Sequence, residues 1–230
     1  MFEIYHHPFS VASRFARLIA GEYGLAAEWT VERVWERRHA FMLMNPAGTL
    51  PVATENGGPA IVGAIPFMEY VDETRGYAQG DRRLMPDHPD ARAEMRRLVE
   101  WYLGKFDAEV TSYLAHEKLI KLEMPRDLGG GAPDSAILRA ARANVQHHLA
   151  YTSWLAASRN WLAGPRMTFA DLAAGAAISV VDYLGEVNWD ADEALKSWYA
   201  RLKSRPSFRT LLADRVLALP PPASYADLDF

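Results

Sequence analysis

The sequence predicts an α/β unit followed by an all-helical unit. Three observations carry that prediction. Strand-like alternation is confined to residues 1–62, and a polar stretch punctuated by glycine and proline spans Gly76 to Pro89. Beyond that stretch, apolar residues recur only at helical spacing. A chain of 230 residues suits one large or two small domains, and with half of its residues hydrophobic it fills a core without staples.

Phe2 to Tyr5 reads as a short strand. Ser10 to Tyr23 reads as a helix, because Phe15, Leu18, Ile19 and Tyr23 share one stripe; Ser10 is its candidate N-cap and Gly24 ends it. Ala27 to Val34 is a strand by its Trp-Thr-Val content and alternation. Glu36 to Met44 is a short helix or an irregular arm. Val52–Thr54 and Ala60–Val62 form a hairpin around Asn56, Gly57 and Gly58, and Ile65 to Glu73 is a further helix. That order, β-α-β-α-β-β-α, is the thioredoxin-like arrangement. Residues 77–89 then read as a linker. Asp90 to Leu122 is a long helical pattern with Leu98, Trp101, Tyr102 and Phe106 on one side, which reads as packing. Gly129 to Pro133 is a loop, since it lacks the strand before it and the Lys-Ser/Thr after it that a phosphate loop needs. Helices follow at Asp134–Ser158, Thr168 to about Gly185 and Asp192–Ser204, and Pro206 opens a last one at its first turn. The domains are therefore expected at 1–76 and 90–213, with a tail at 214–230.

Composition excludes several functions. There is no cysteine, hence no disulfide, thiolate metal site or cysteine nucleophile. A net charge of −4 argues against a general nucleic-acid binder. No signal peptide is visible, and the apolar stretch Phe169–Val181 carries Asp171 and is too short to span a bilayer, so a soluble cytoplasmic protein without membrane insertion is expected. The pairs His6-His7 and His147-His148 do not make metal sites, because adjacent residues on a strand or helix point apart. No cofactor and no metal is expected.

The most informative run is Asn45-Pro46-Ala47-Gly48-Thr49-Leu50-Pro51-Val52. Pro51 cannot donate a backbone hydrogen bond, so it belongs where a strand begins or at an edge. The run resembles the Asn-Pro-x-Gly-x-x-Pro-Val signature of glutathione S-transferase-like proteins. A second motif, Thr168-Phe169-Ala170-Asp171, forms a capping box in which the threonine takes one free N–H and Asp171 reaches back for another. In the same family a Ser/Thr-x-x-Asp box opens the central helix of the helical domain. The resemblance implies a thioredoxin-like domain with a cis proline at Pro51, a transferase-type helical domain, and structural roles for Pro51, Thr168 and Asp171.

It also implies a place for chemistry, where the first strand joins the first helix. Free N–H groups and the positive end of the helix dipole favour a thiolate there. Ser10 aligns with the activating position. It reads either as a group that stabilises glutathione thiolate or as an N-cap alone. The family's glutathione site continues with an acid followed by serine, which hold the γ-glutamyl amine and carboxylate. Here Gly63-Ala64 replaces that pair. Losing such a charge-assisted contact costs roughly 1.5–3 kcal/mol each. The expected protein is therefore a non-enzymatic member in which Ser10 is a vestige; the alternatives are an active transferase using Ser10 and a transferase-like adaptor.

Two surfaces suggest a macromolecular partner. The segment Glu32-Arg33-Val34-Trp35-Glu36-Arg37-Arg38 is strongly charged. Trp35 plugs the core from the strand end or, if exposed, serves as a hot spot flanked by Arg37 and Arg38. The ending Leu219-Pro220-Pro221-Pro222-Ala223-Ser224-Tyr225-Ala226-Asp227-Leu228-Asp229-Phe230 is stiffened by its prolines and closes with alternating acidic and apolar groups. It packs on its own domain or anchors a partner through Tyr225, Asp227, Leu228, Asp229 and Phe230. Together with the start Tyr5-His6-His7-Pro8, this ending resembles a non-catalytic, dimeric branch of the family. Members of that branch bind filaments of the tubulin-like GTPase FtsZ, curve them and support constriction. The resemblance implies a cytoplasmic homodimer at the division site, with FtsZ filaments as partner. A dimer presents two copies of one patch and so bridges or bends a polymer.

Overall fold

The computed structural model describes residues 1–228. Strand β1 (Phe2–His6) leads into helix α1 (Val11–Glu22), followed by β2 (Ala27–Val31). A 3-10 turn (Val34–Glu36) and α2 (His39–Met44) precede the hairpin of β3 (Val52–Glu55) and β4 (Ile61–Val62), after which comes α3 (Ala64–Arg75). The sheet order is β2-β1-β3-β4, with β1 and β2 parallel and the other pairings antiparallel. This is the thioredoxin-like arrangement, and the Leu50–Pro51 bond is cis.

The register follows from alternation. Phe2 and Ile4 point inward and are buried, while Glu3 between them is exposed. Helix α1 ends at Gly24, which takes φ +62°, a left-handed conformation that costs glycine little. The strand expected over Ala27–Val34 stops at Val31, because Glu32 turns inward to a buried position.

Residues 77–89 do not hang free. A 3-10 segment (Tyr77–Arg82) is followed by buried Leu84 and Met85, and Arg83 donates to Asp72 at 2.6 Å. The helical part opens with α4 (Pro89–Glu100). The rod continues through π-wound turns (Trp101–Thr111), α5 (Ser112–Ala115), a further π-wound segment (His116–Ile120) and α6 (Lys121–Glu123). Helices α7 (Ser135–Ser158), α8 (Phe169–Tyr183), α9 (Glu193–Lys203) and α10 (Arg209–Leu212) complete it.

Helix α8 is buried along its whole length, with α1 and α4 packed against it. It is apolar on nearly all sides, as a central helix must be, and its buried Asp171, Ser179 and Asp182 are each hydrogen-bonded. Its small residues let neighbours approach: a Cβ at Gly175 would lie 3.1 Å from Phe208 and 3.2 Å from Leu202. The capping box at its start is formed. Thr168 Oγ1 accepts from Ala170 N at 3.2 Å, and Asp171 accepts from Thr168 N at 2.9 Å. Asp171 also accepts from Leu162 N at 2.9 Å and from Trp198 Nε1 at 3.0 Å, which ties the start of α8 to α9.

Candidate functional site

The loop from β1 to α1 forms one wall of a groove between the sheet domain and the helical rod. Ser10 takes extended backbone angles, and its Oγ accepts from Ser13 N at 3.3 Å, so its hydroxyl caps α1. The groove, about 430 Å³, is lined on this side by Phe9, Ser10, Trp35 and Leu50, and on the other by Asp107, Thr111 and His116. Burial pushes the Asp107 carboxyl above its ordinary range, partly offset by a hydrogen bond from the Thr111 hydroxyl. His7 Nδ1 accepts from Phe9 N at 3.3 Å, and its Nε2 lies 3.8 Å from Glu123. Side chains that could hold a glutamyl amine and carboxylate are missing at the start of α3. Gly63 is the N-cap with φ +94° and no capping side chain, and its N–H is taken by Pro51 O at 2.9 Å. Ala64 is buried. The positive φ at Gly63 also disfavours any larger residue there.

Trp35 is half-buried in the groove wall. Its ring meets His7 edge-on at 5.9 Å, and its buried Nε1 has no hydrogen-bond partner. It closes the strand end and keeps one face at the groove. Arg37 is exposed with φ +46°. Arg38 is committed, since its Nε donates to Glu32 at 3.1 Å while Glu32 is 1% exposed. Removing Arg38 would strand a buried carboxylate.

The tail is tied down. Tyr183 Oη accepts from Val216 N at 2.8 Å and donates to Leu219 O at 2.9 Å. Lys203 Nζ donates to Ser224 O at 2.6 Å. Tyr225 is fully buried, and its hydroxyl donates to Leu211 O at 2.8 Å. This corrects the assignment of Tyr225 as a partner-facing residue: it anchors the tail and has no surface to offer. Asp227 and Leu228 are exposed. Asp229 and Phe230 lie outside the described residues.

The hub of this clasp was missed in the sequence. Arg14 is fully buried and donates to Pro8 O (2.7 Å), Ser179 Oγ (2.8 Å), Tyr225 Oη (3.2 Å) and Asp214 (3.2 Å). Burial disfavours its charge, but Tyr225 and Asp214 outweigh that and hold its pKa above the ordinary value. One signal was available: Arg14 falls among the residues of α1 that face inward, between Val11 and Leu18. The same hub joins the groove loop to the tail. Among the described residues no group of three or more His, Asp or Glu side chains is arranged to hold a metal ion, and no helix is long and apolar enough to cross a membrane.

Comparison with known proteins places this architecture. Residues 124–206 match the glutathione S-transferase C-terminal domain family. The chain belongs to the glutathione S-transferase-like superfamily. It is 43% identical over 230 residues to FtsZ-localized protein A of Caulobacter vibrioides (strain NA1000 / CB15N), covering 99% of this chain and 97% of that protein. Among solved structures, a glutathione S-transferase from Sinorhizobium meliloti 1021 superposes with a TM-score of 0.98 at 55% identity, with both chains covered in full. FzlA from C. crescentus superposes with a TM-score of 0.90 at 43% identity, covering 100% of this chain and 99% of that one.

Proposed function

We propose that this protein is a non-catalytic, glutathione S-transferase-like cell-division protein that binds FtsZ filaments, promotes their curvature or bundling and supports constriction. The observation that carries the reading is the end-to-end similarity to FtsZ-localized protein A, which extends through both domains and the tail. The bare start of α3 supports it: Gly63 and Ala64 supply neither the charge nor the hydroxyl that glutathione recognition needs. The protein acts as a homodimer at the division site. Trp35, Arg37 and Arg38, together with Asp227, Leu228, Asp229 and Phe230, form its partner surface, with Tyr225 holding the tail in position.

Co-sedimentation with GTP-assembled FtsZ, run beside calorimetry with glutathione, tests the reading. The protein is expected in the polymer pellet, and Asp227→Lys is expected to weaken binding per folded molecule by about 2 kcal/mol. If Asp227→Lys pellets as well as wild type, the tail is structural. Failure of the wild type to pellet overturns the reading itself. Saturable binding of glutathione, with thiol conjugation lost in Ser10→Ala, would favour the transferase alternative instead.

A further inference from the structure

A second cavity lies across the β1–α1 loop from the groove. Pro8 lines it, whereas Phe9 and Ser10 line the groove, and the two share no residue. It holds about 560 Å³ between the β2 side of the sheet and α1, within the range of small-molecule sites. Leu25, Trp29 and Val31 give it an apolar wall. The α1 side opposes them with Ala20, Gly21 and Gly24, which carry almost no side-chain bulk, and a Cβ at Gly24 would meet nothing within 4 Å. The space left opposite the Trp29 indole suits a flat group.

Two polar side chains reach this cavity with a donor to spare. His6 is 6% exposed, and its ring meets Trp29 edge-on at 5.2 Å. Burial, with Arg17 and His7 adding to it, keeps the imidazole neutral, so the ring carries one N–H and one lone pair. Nδ1 is buried with no partner, a place that an N–H avoids more strongly than a lone pair does. The proton therefore belongs on Nε2, which no hydrogen bond among the described residues uses and which is free to donate into the cavity. Arg17 stands beside it. Its Nη1 donates to Asp214 Oδ2 at 2.8 Å, and its Nη2 donates to Asp214 Oδ1 at 3.0 Å and Thr210 O at 2.6 Å, which leaves Nε without a partner among the described residues.

The cavity is also short of negative charge. Asp214 is the one carboxylate that lines it among the described residues, and it already answers two guanidinium groups, those of Arg14 and Arg17. Neighbouring acids are committed elsewhere. Glu22 takes the Arg205 guanidinium, and Asp182 pairs with Lys203. Glu28 alternates to the face of the sheet opposite Trp29 and Val31. A part-buried cation in excess of its counter-charges is relieved by a bound anion.

We infer that this cavity is a binding site for a small carboxylic acid with a flat apolar body. The carboxylate accepts from Arg17 Nε and His6 Nε2, and the body lies along Trp29, opposite Ala20 and Gly24. The inference goes beyond FtsZ binding as proposed above and stands without it.

Calorimetry with naphthoate, beside its neutral isostere naphthamide, tests it on the intact protein. Naphthoate is expected to bind saturably, about tenfold more tightly than naphthamide, because its hydrogen bonds are charge-assisted. Val31→Glu sets a negative charge at the exposed rim of the cavity. It is expected to weaken naphthoate about fivefold, less at high salt, and to leave naphthamide unchanged. Trp29→Ala is expected to weaken both ligands, and Trp35→Ala, in the groove, neither. A measurement on wild type needs no stable variant: with labelled histidine side chains, the His6 ring signal, identified by its loss in His6→Leu, shifts as naphthoate is added. Absence of saturable binding overturns the inference, as does naphthamide binding as tightly as naphthoate or a His6 signal that stays in place. Binding lost in Trp35→Ala but kept in a folded Trp29→Ala protein puts the ligand in the groove and overturns it as well.

Discussion

Two helix N-termini in this molecule are built in opposite ways. At the start of α8, Thr168 and Asp171 form a closed set in which the Asp171 carboxylate accepts from Leu162 N, Thr168 N and Trp198 Nε1. At the start of α3, the cap is a glycine with no side-chain contact, followed by a buried alanine. The first terminus lies at the centre of the helical domain, where an unpaired donor costs free energy in every folded molecule. The second is where the resemblance to glutathione S-transferases puts ligand contacts, which serve only when a ligand is bound. The comparison teaches that a terminus serving the fold is fully provided with side-chain partners here, while the start of α3 offers no polar side chain to a ligand.

The contrast breaks most readily at Asp171. Asp171→Ala leaves buried donors from Leu162, Thr168 and Trp198 without an acceptor, and is expected to cost about 3–5 kcal/mol by chemical denaturation. A loss below about 1 kcal/mol would mean that the box is dispensable.

His6 sharpens the comparison from the sheet side. Its Nδ1 is buried without a partner, and burial, with smaller effects from Arg17 and His7, lowers its pKa from 6.5 to about 3. The folded state therefore keeps the imidazole neutral while the unfolded chain takes up a proton below pH 6.5. The unfolded state binds more protons between those values, so this contribution to stability is lost as pH falls from 6.5 toward 3. Between about pH 7 and about pH 5, wild type is expected to lose about 2 kcal/mol more than His6→Leu. Equal pH slopes for the two proteins would show that His6 titrates normally.

Thr168→Ala removes one accepting side chain at the cap and is expected to cost about 1 kcal/mol, with FtsZ binding per folded molecule unchanged. A large loss of that binding at an unchanged melting temperature would move Thr168 from the core to the partner surface. The smallest effect is expected at the bare terminus. Ala64→Ser restores only one hydroxyl, so calorimetry with millimolar glutathione is expected to show no saturable heat for wild type or variant. Tight binding to wild type would end the contrast between the two termini.

Much of this was legible in the sequence because it is local. Periodicity, the caps at Ser10 and Thr168, and the glycine at position 24 are decided within a few residues of themselves, and each appears in the fold. The loss of the acid-serine pair is equally local, since the side chains at Gly63 and Ala64 are known from their names. Tyr225 could not be placed that way. Its burial depends on Arg14 and Leu211, which are 211 and 14 positions away. The sequence by itself therefore determined the main strands and helices, their order and the want of polar side chains at Gly63 and Ala64. Tertiary structure alone decided that Arg14 joins the groove loop to the tail, that Arg38 serves Glu32, and that Tyr225 faces inward. Those outcomes rest on burial and pairing between distant segments, where the cost of an unpaired buried charge or hydroxyl selects partners that no local pattern names.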